Sequence, residues 1–427
     1  MPRNRPSSRS VRTRPSLPER PLPTPWRAWL AWTAAAVFFF YAFVLRVSPS
    51  VMVGELMAEF QVGGAVFGTL SSLYFYTYAP LQLPVGIMMD KYGPRLMISI
   101  AIALAALGSV LFAFAPTLEI AYLARLLIGF GSGFSFVGAL TVSTQLFPPA
   151  RFAMLAGLVQ GLGILGGIAG QAPLGIVVEH LSWRGAMGML AAVGAVLAVA
   201  AWLAIRDRVG AATGASPMAG LKVVAANRET WLCAVFGLAK TAPMLTFGGL
   251  WAVPFIMAAH GVDRATAASL SSLLFLGWGL GAPFNGWLSD RLGRRKAPML
   301  VSSLIATSAM ATIVGVHGLS LTTTGVLCFV NGFASCAMVL AFAAVREHNP
   351  PGTTGAAYGL VNTFVVGSGA VFQPLVGWLL DLGWDGTLVA GARVYAEDTY
   401  RAALWTLPAV SAVGIAAALL MREPPRP

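Results

Sequence analysis

The chain has 427 residues, 57% hydrophobic and 10% charged, with a mean hydropathy of +0.74 and a formal charge of +12. Soluble domains carry about 25% charged residues, so a soluble globular protein is excluded. The basic residues form no continuous face, which also removes nucleic acid as a partner.

Residues 1–27 hold seven arginines and one glutamate in a Pro/Ser-rich stretch, half of the net charge. This composition predicts a disordered basic cytoplasmic tail that helps keep the N-terminus inside. Twelve apolar runs near the ~20 residues of a spanning helix follow. Six occupy 28–53, 65–89, 96–115, 118–146, 152–179 and 185–205, and together form the first half, 28–205. In the first run, Phe39, Ala42 and Arg46 share a face, with Tyr41 adjacent. In the second, Tyr74, Tyr78 and Gln82 share another, with kinks expected at Pro80 and Pro84. The fourth carries Arg125. The fifth carries Gln160 and seven glycines between 157 and 175, several at the spacing that lets helix backbones approach closely.

Residues 206–229 concentrate charge around small residues and read as a cytoplasmic linker. The second half, 230–421, contains runs at 230–259, 264–289, 297–318, 320–346, 354–381 and 399–421, followed by a short tail, 422–427. Its seventh run carries Lys240 and its eleventh Asn362. The expected fold is therefore an all-α membrane protein of twelve transmembrane helices in two pseudo-symmetric six-helix bundles. With both termini in the cytoplasm, 21 of the 28 Lys/Arg fall in tails and inside loops and four in outside loops. That asymmetry follows the positive-inside rule.

The halves repeat one another. Gly86-Ile-Met-Met-Asp90-Lys91-Tyr-Gly93-Pro-Arg95 recurs 200 residues later as Gly286-Trp-Leu-Ser-Asp290-Arg291-Leu-Gly293-Arg294-Arg295. Gly157-Leu-Val-Gln160 recurs as Gly359-Leu-Val-Asn362, and Gln171 and Gly175 recur as Gln373 and Gly377, all at an offset of 202. Equivalent halves place a binding site near the midplane between them.

These motifs resemble those of the major facilitator superfamily. The second loop copy matches the family pattern G-x-x-x-D-R-x-G-R-[RK] in full, and the first departs at Lys91 and Pro94. Arg125-x-x-x-Gly129-x-Gly131 matches a second family motif. Leu45 to Met52 and Tyr78 to Gly86 resemble a bacterial branch of amino-acid, peptide and organic-anion permeases. The resemblance implies alternating access, with the loop residues Asp90, Lys91, Arg95, Asp290, Arg291 and Arg294 gating the cytoplasmic side. The family's antiporter signature on the fifth helix is broken here, at Gly170-Gln171-Ala172-Pro173.

Three cations, Arg46, Arg125 and Lys240, lie inside predicted spans, whereas all sixteen acidic residues fall in tails, loops or helix ends. A basic residue at a helix centre costs roughly 2.5–3.5 kcal/mol on insertion scales, so each is expected to face a cavity or a partner. Buried positive charge without a carboxylate attracts an anion. The expected substrate-binding set is Arg46, Arg125, Lys240, Tyr41, Tyr78, Gln160 and Asn362. The expected function is transport of a small carboxylate-bearing solute: an organic anion, amino acid or short peptide. An efflux carrier of drugs and a non-transporting receptor are the alternatives. No catalytic constellation, phosphate loop or metal-spaced cluster appears, so neither an enzyme nor a cofactor is expected. The three cysteines read as small buried hydrophobes. The expected partners are a small-molecule substrate and the lipid bilayer of a bacterial inner membrane, and two full halves make a monomer sufficient.

Overall fold

The computed structural model describes residues 24–206 and 217–423. The predicted N-terminal tail up to residue 23, the middle of the linker and the last four residues lie outside them. Helix dominates because almost every backbone amide that enters a bilayer must be bonded within its own segment. Among the described residues, ten helices are long and apolar enough to cross a membrane, and Met154–Ala169 is a shorter apolar helix.

The first crossing is Pro25–Val51. The second is made of Gly64–Leu81, which contains Pro80, and Val85–Tyr92, with the break at 82–84 ending on Pro84, which lacks a backbone donor. The third and fourth are Pro94–Ala113 and Leu118–Leu146. The fifth begins as Phe152–Ala169 and continues into Ala172–Ala204. That long segment turns at Ser182, whose φ is 63°, and its remainder is the sixth crossing. The second half comprises Arg228–His260, Arg264–Leu292, Lys296–Gly315, Leu321–His348, Thr354–Leu382 and Glu397–Leu420. A short helix, Pro217–Ala226, lies in the expected linker. A hairpin of β1 (Leu388–Val389) and β2 (Ala392–Arg393) precedes the twelfth crossing. Below, the near face is the one holding Pro25 and Leu420, and the far face is the opposite one.

Packing reproduces the internal repeat. In the first half, crossing one packs on five, two on four, three on four, and three on six. In the second half seven packs on eleven, eight on ten, nine on ten, and nine on twelve, the same pairs six crossings later. Small residues set both central contacts. A Cβ on Gly129 would collide with the carbonyl of Tyr74, and one on Gly332 with the carbonyl of Leu274. The halves meet chiefly where crossing two lies along eleven and where five meets eight. These two contacts are equivalent under the repeat. All three cysteines are buried and free, as small hydrophobes in apolar helices.

Candidate functional site

Arg46 lies near the end of the long helix of the first crossing and is 6% exposed. Its guanidinium carbon stands 4.1 Å from the ring of Phe43, one turn back, and 4.9 Å and 5.4 Å from those of Tyr78 and Tyr74 on the second crossing. The two tyrosines stack with centroids 5.6 Å apart. Each ring offers its negative face to the cation, worth about 0.5–2 kcal/mol. That is less than the several kcal/mol of effective penalty for an ion taken out of water. The Arg46 Nε has no hydrogen-bond partner, and among the described residues Arg46 forms no ion pair. That Nε is therefore the unused donor of a rigid planar fork.

One turn beyond Tyr78, Gln82 reaches the other half. Its Nε2 donates to the Tyr78 carbonyl at 3.1 Å, and its Oε1 accepts from Asn362 Nδ2 of the eleventh crossing at 3.0 Å. Gln160, the repeat partner of Asn362, is half-buried on the fifth crossing. Gln82 thus joins Tyr78 to Asn362, and the Tyr78 ring faces Arg46. Tyr74, Phe43 and Gln82 belong to the same cluster. Tyr74 and Gln82 carried a sequence signal, their shared face with Tyr78.

Three expected site residues are held elsewhere. Tyr41 donates its hydroxyl to the Leu190 carbonyl at 2.9 Å, on the sixth crossing. Arg125 is fully buried within the first half and donates to the carbonyls of Leu45 and Ser71 at 2.9 and 3.0 Å. It ties crossing four to one and two through its two terminal nitrogens, while its Nε, like that of Arg46, has no partner. Lys240 is fully buried inside the second half and bonds Ser411 Oγ at 2.7 Å.

Sequence reasoning gave no role to a π-helical segment, Met244–Trp251, in the seventh crossing. Such segments loosen the helical ladder and are frequent at functional sites. Here the repeat-related glutamines occupy two of its carbonyls. Gln373 Nε2 donates to Leu245 O at 2.8 Å, within the second half. Gln171 Nε2 donates to Gly248 O at 2.8 Å, across the halves, while its Oε1 accepts from Ser50 at 3.3 Å. Their shared offset of 202 was the available signal. Gln171→Leu should weaken the junction of the halves by about 1–3 kcal/mol, because it leaves a buried carbonyl short of a strong donor. A lower melting temperature than wild type in detergent is the readout, and an unchanged one would count against this role.

The far face carries the strongest polar contacts between halves. Asp381, at the end of the eleventh crossing, accepts from the backbone N–H groups of Gly64 and Ala65, which open the second crossing, at 2.8 and 2.9 Å. Tyr395 and Arg393 also bond Asp381 Oδ1, at 2.6 and 3.2 Å. Burial and the Asp381 carboxylate push the Tyr395 phenol well above its usual pKa, so it remains a donor. A carboxylate at free helix N–H groups is also favoured by the helix dipole. Nearby, Arg264 pairs with Glu55 and donates to the Val51 carbonyl at 3.0 Å. Among the described residues, the hydrogen bonds and ion pairs that join the halves cluster at this face and near mid-depth.

The expected gating residues occupy the near face, and their described contacts stay within one half. Arg95 stacks over Trp202 at 4.0 Å and donates to its carbonyl at 2.9 Å. Lys91 and Arg291 are exposed beside Tyr92 and Trp287. Asp290 pairs with Arg295 at 2.6 Å, and Arg295 also pairs with Glu347 at 2.7 Å. Glu347, and then Asp290, hold the Arg295 pKa above its usual range. Arg294 is exposed, so Arg295 is the loop cation that organises this corner. The side chain of Asp90 lies outside the described residues.

The family model described as Major Facilitator Superfamily matches residues 30–253 and 235–427. A probable sulfoacetate transporter of Cupriavidus necator is 28% identical over 157 residues, a match that spans 37% of this chain and 36% of that protein. A gentisate transporter of Corynebacterium glutamicum is 25% identical over 344 residues, covering 77% of this chain and 76% of that one. Among solved structures, a bacterial homolog of the human lysosomal transporter Spinster, inward-facing and occupied, superposes with a TM-score of 0.76. It is 18% identical, with 93% of this chain and 97% of that chain covered, and so agrees in fold.

Proposed function

Because this chain belongs to the Major Facilitator Superfamily, a family of membrane transporters, we propose that it carries a small carboxylate-bearing organic anion by alternating access, with Arg46 receiving the negative group. The observation behind this reading is the Arg46 cluster: a buried guanidinium bracketed by three rings, with an unused Nε and no acidic partner among the described residues. Gln82 and Asn362, one turn away, supply amides from both halves for the remainder of the solute. The relatives named above as sulfoacetate and gentisate transporters are consistent with an anionic cargo. With the near face toward the cytoplasm, as the distribution of Lys and Arg supports, the conformation described here is sealed on the outer side.

The cluster favours an anion over a cationic drug, since a buried cation repels a second one. The discriminating experiment is a thermal-shift comparison of the purified protein with gentisate, sulfoacetate and ethidium. A bound carboxylate at 100 times its Kd should add about 2.7 kcal/mol to stability. Stabilisation by ethidium and by neither carboxylate would overturn the assignment.

A further inference from the structure

Arg46 is caged by rings. Its Nε is buried without a partner, so a carboxylate can take the side-on pairing through that nitrogen only if a ring moves. The three rings, Phe43, Tyr74 and Tyr78, are all buried. Tyr74 also donates its hydroxyl to the Ala42 carbonyl of crossing one at 3.3 Å, which holds its ring against that helix. Rings that stabilise the guanidinium in the empty protein therefore compete for it with an incoming anion.

The cage is connected to the other half. Adjacent helical residues point about 100° apart, so crossing two turns Tyr74 and Tyr78 toward crossing one and Phe75 toward eleven. Phe75 stands edge-on to Tyr74, with ring centroids 5.3 Å apart, and Tyr74 stacks on Tyr78. On its other side Phe75 meets Gly369 of crossing eleven, where an added Cβ would stand 2.7 Å from the ring.

Contacts between the same two helices flank this point on both sides. Toward the far face, a Cβ on Gly68 would meet the Gln373 carbonyl. Toward the near face, Thr363 Oγ1 reaches the Ala79 carbonyl at 3.4 Å, and Asn362 bonds Gln82. Phe75 is therefore held at the junction of the halves, and the row from Phe75 through Tyr74 and Tyr78 to Arg46 advances in steps of 5.3, 5.6 and 4.9 Å. Close-packed rings shift between discrete arrangements rather than compress, so a displacement at one end is felt along the row.

We infer that this row of rings sets the anion affinity of Arg46 according to the contact between crossings two and eleven. In the far-sealed state, Gly369 backs Phe75, the rings stay on the guanidinium, and an anion is held weakly. When crossing eleven withdraws, Phe75 gains room, the tyrosines loosen, and a carboxylate becomes the better partner of Arg46. Solute is then bound tightly from the far side and released toward the near side. Phe75 is a positioning residue, since the rings over Arg46 among the described residues are Phe43, Tyr74 and Tyr78. The inference rests on the carrier reading above, and the two can fail separately.

A competitor and a pocket wall respond to truncation with opposite signs. Phe75→Leu leaves the three rings over Arg46 in place but removes their backing. The Kd of the purified protein for gentisate, read by equilibrium dialysis, should fall about threefold or more, within the about two- to 30-fold worth of one cation–π contact. In liposomes KM and kcat should fall together, because the near side releases the anion less readily. An unchanged or raised Kd would overturn the inference. Tyr74 is a poor handle, because its ring also stands 5.4 Å from Arg125. If Phe75→Leu fails to fold, Phe43→Leu removes the nearest ring and is read in the same way. A second test needs no solute and compares the melting temperatures of Phe75→Leu, Arg46→Met and the double variant. Residues coupled through the row give non-additive shifts, and additive shifts overturn it. If wild type binds neither gentisate nor sulfoacetate, the solute assignment fails, and the melting cycle still decides the row.

Discussion

Replacing Arg46 with methionine is expected to reduce carboxylate uptake by about 30-fold or more while making the empty protein more stable. The first effect follows from the cost of removing one member of a desolvated charge pair, about 2–5 kcal/mol. The second follows from the imperfect compensation of Arg46 in the empty state. Three rings face it, yet its Nε is unbonded and no carboxylate pairs with it among the described residues. Methionine fills a similar volume without a charge to bury, so the melting temperature should rise. Arg46→Lys keeps the charge but loses the planar fork and its stacking, and should recover only part of the uptake. Arg125→Met supplies the contrast. It removes the charged donor from the Leu45 carbonyl, which keeps Ser48, and from the Ser71 carbonyl, and should destabilise by about 1.5–3 kcal/mol for each bond lost. Opposite signs for the two arginines would separate a ligand-receiving charge from a structural one. A melting temperature that falls equally in both would remove Arg46 from the site.

Opening of the far face should respond just as strongly to Asp381. Its carboxylate holds two helix N–H groups of the opposite half and is itself held by Tyr395 and Arg393. Asp381→Asn retains the shape but removes the charge that the helix N-terminus and Arg393 favour. With each hydrogen bond to a charged group worth about 1.5–3 kcal/mol, loss of about 3 kcal/mol shifts the equilibrium roughly 100-fold toward the far-open state. Gly377→Val should act in the same direction for a different reason. A Cβ at Gly377 would run into the carbonyl of Gly64, so the second and eleventh crossings could no longer lie in contact there. Spin labels on Glu59 and Thr387, one on each half at the far face, would report the change as a longer distance. An unaltered distribution in both variants would show that the seal does not depend on this corner.

The value of sequence reasoning varied from element to element. The break in the second crossing was legible because Pro80 and Pro84 act on their own backbone, and it appears at residues 82–84. The pairing of Gln171 with Gln373 was legible as a repeat offset. Its meaning was not, because the π-helical carbonyls they occupy arise where helix seven meets its neighbours. Asp381 carried no signal beyond its place at a helix end, since its partners Gly64 and Ala65 lie more than 300 residues away. In the loop motif, Arg294 and Arg295 are equal in the pattern, and only the position of Glu347 decides between them.

The sequence by itself determined that this chain spans a membrane in two related six-helix halves and that positive charge is concentrated on one side. Those properties depend on runs of hydropathy, on the sorting of Lys and Arg between loops, and on a repeat that keeps its offset. The tertiary structure separated the three buried cations by their partners. Arg46, Arg125 and Lys240 look alike in sequence, each a lone positive charge in an apolar helix. Their roles diverge through what neighbouring helices bring to them: aromatic faces for Arg46, backbone carbonyls for Arg125, a pair of hydroxyls for Lys240. The energy of a buried charge is set by the atoms within a few ångströms, and those atoms come from other helices.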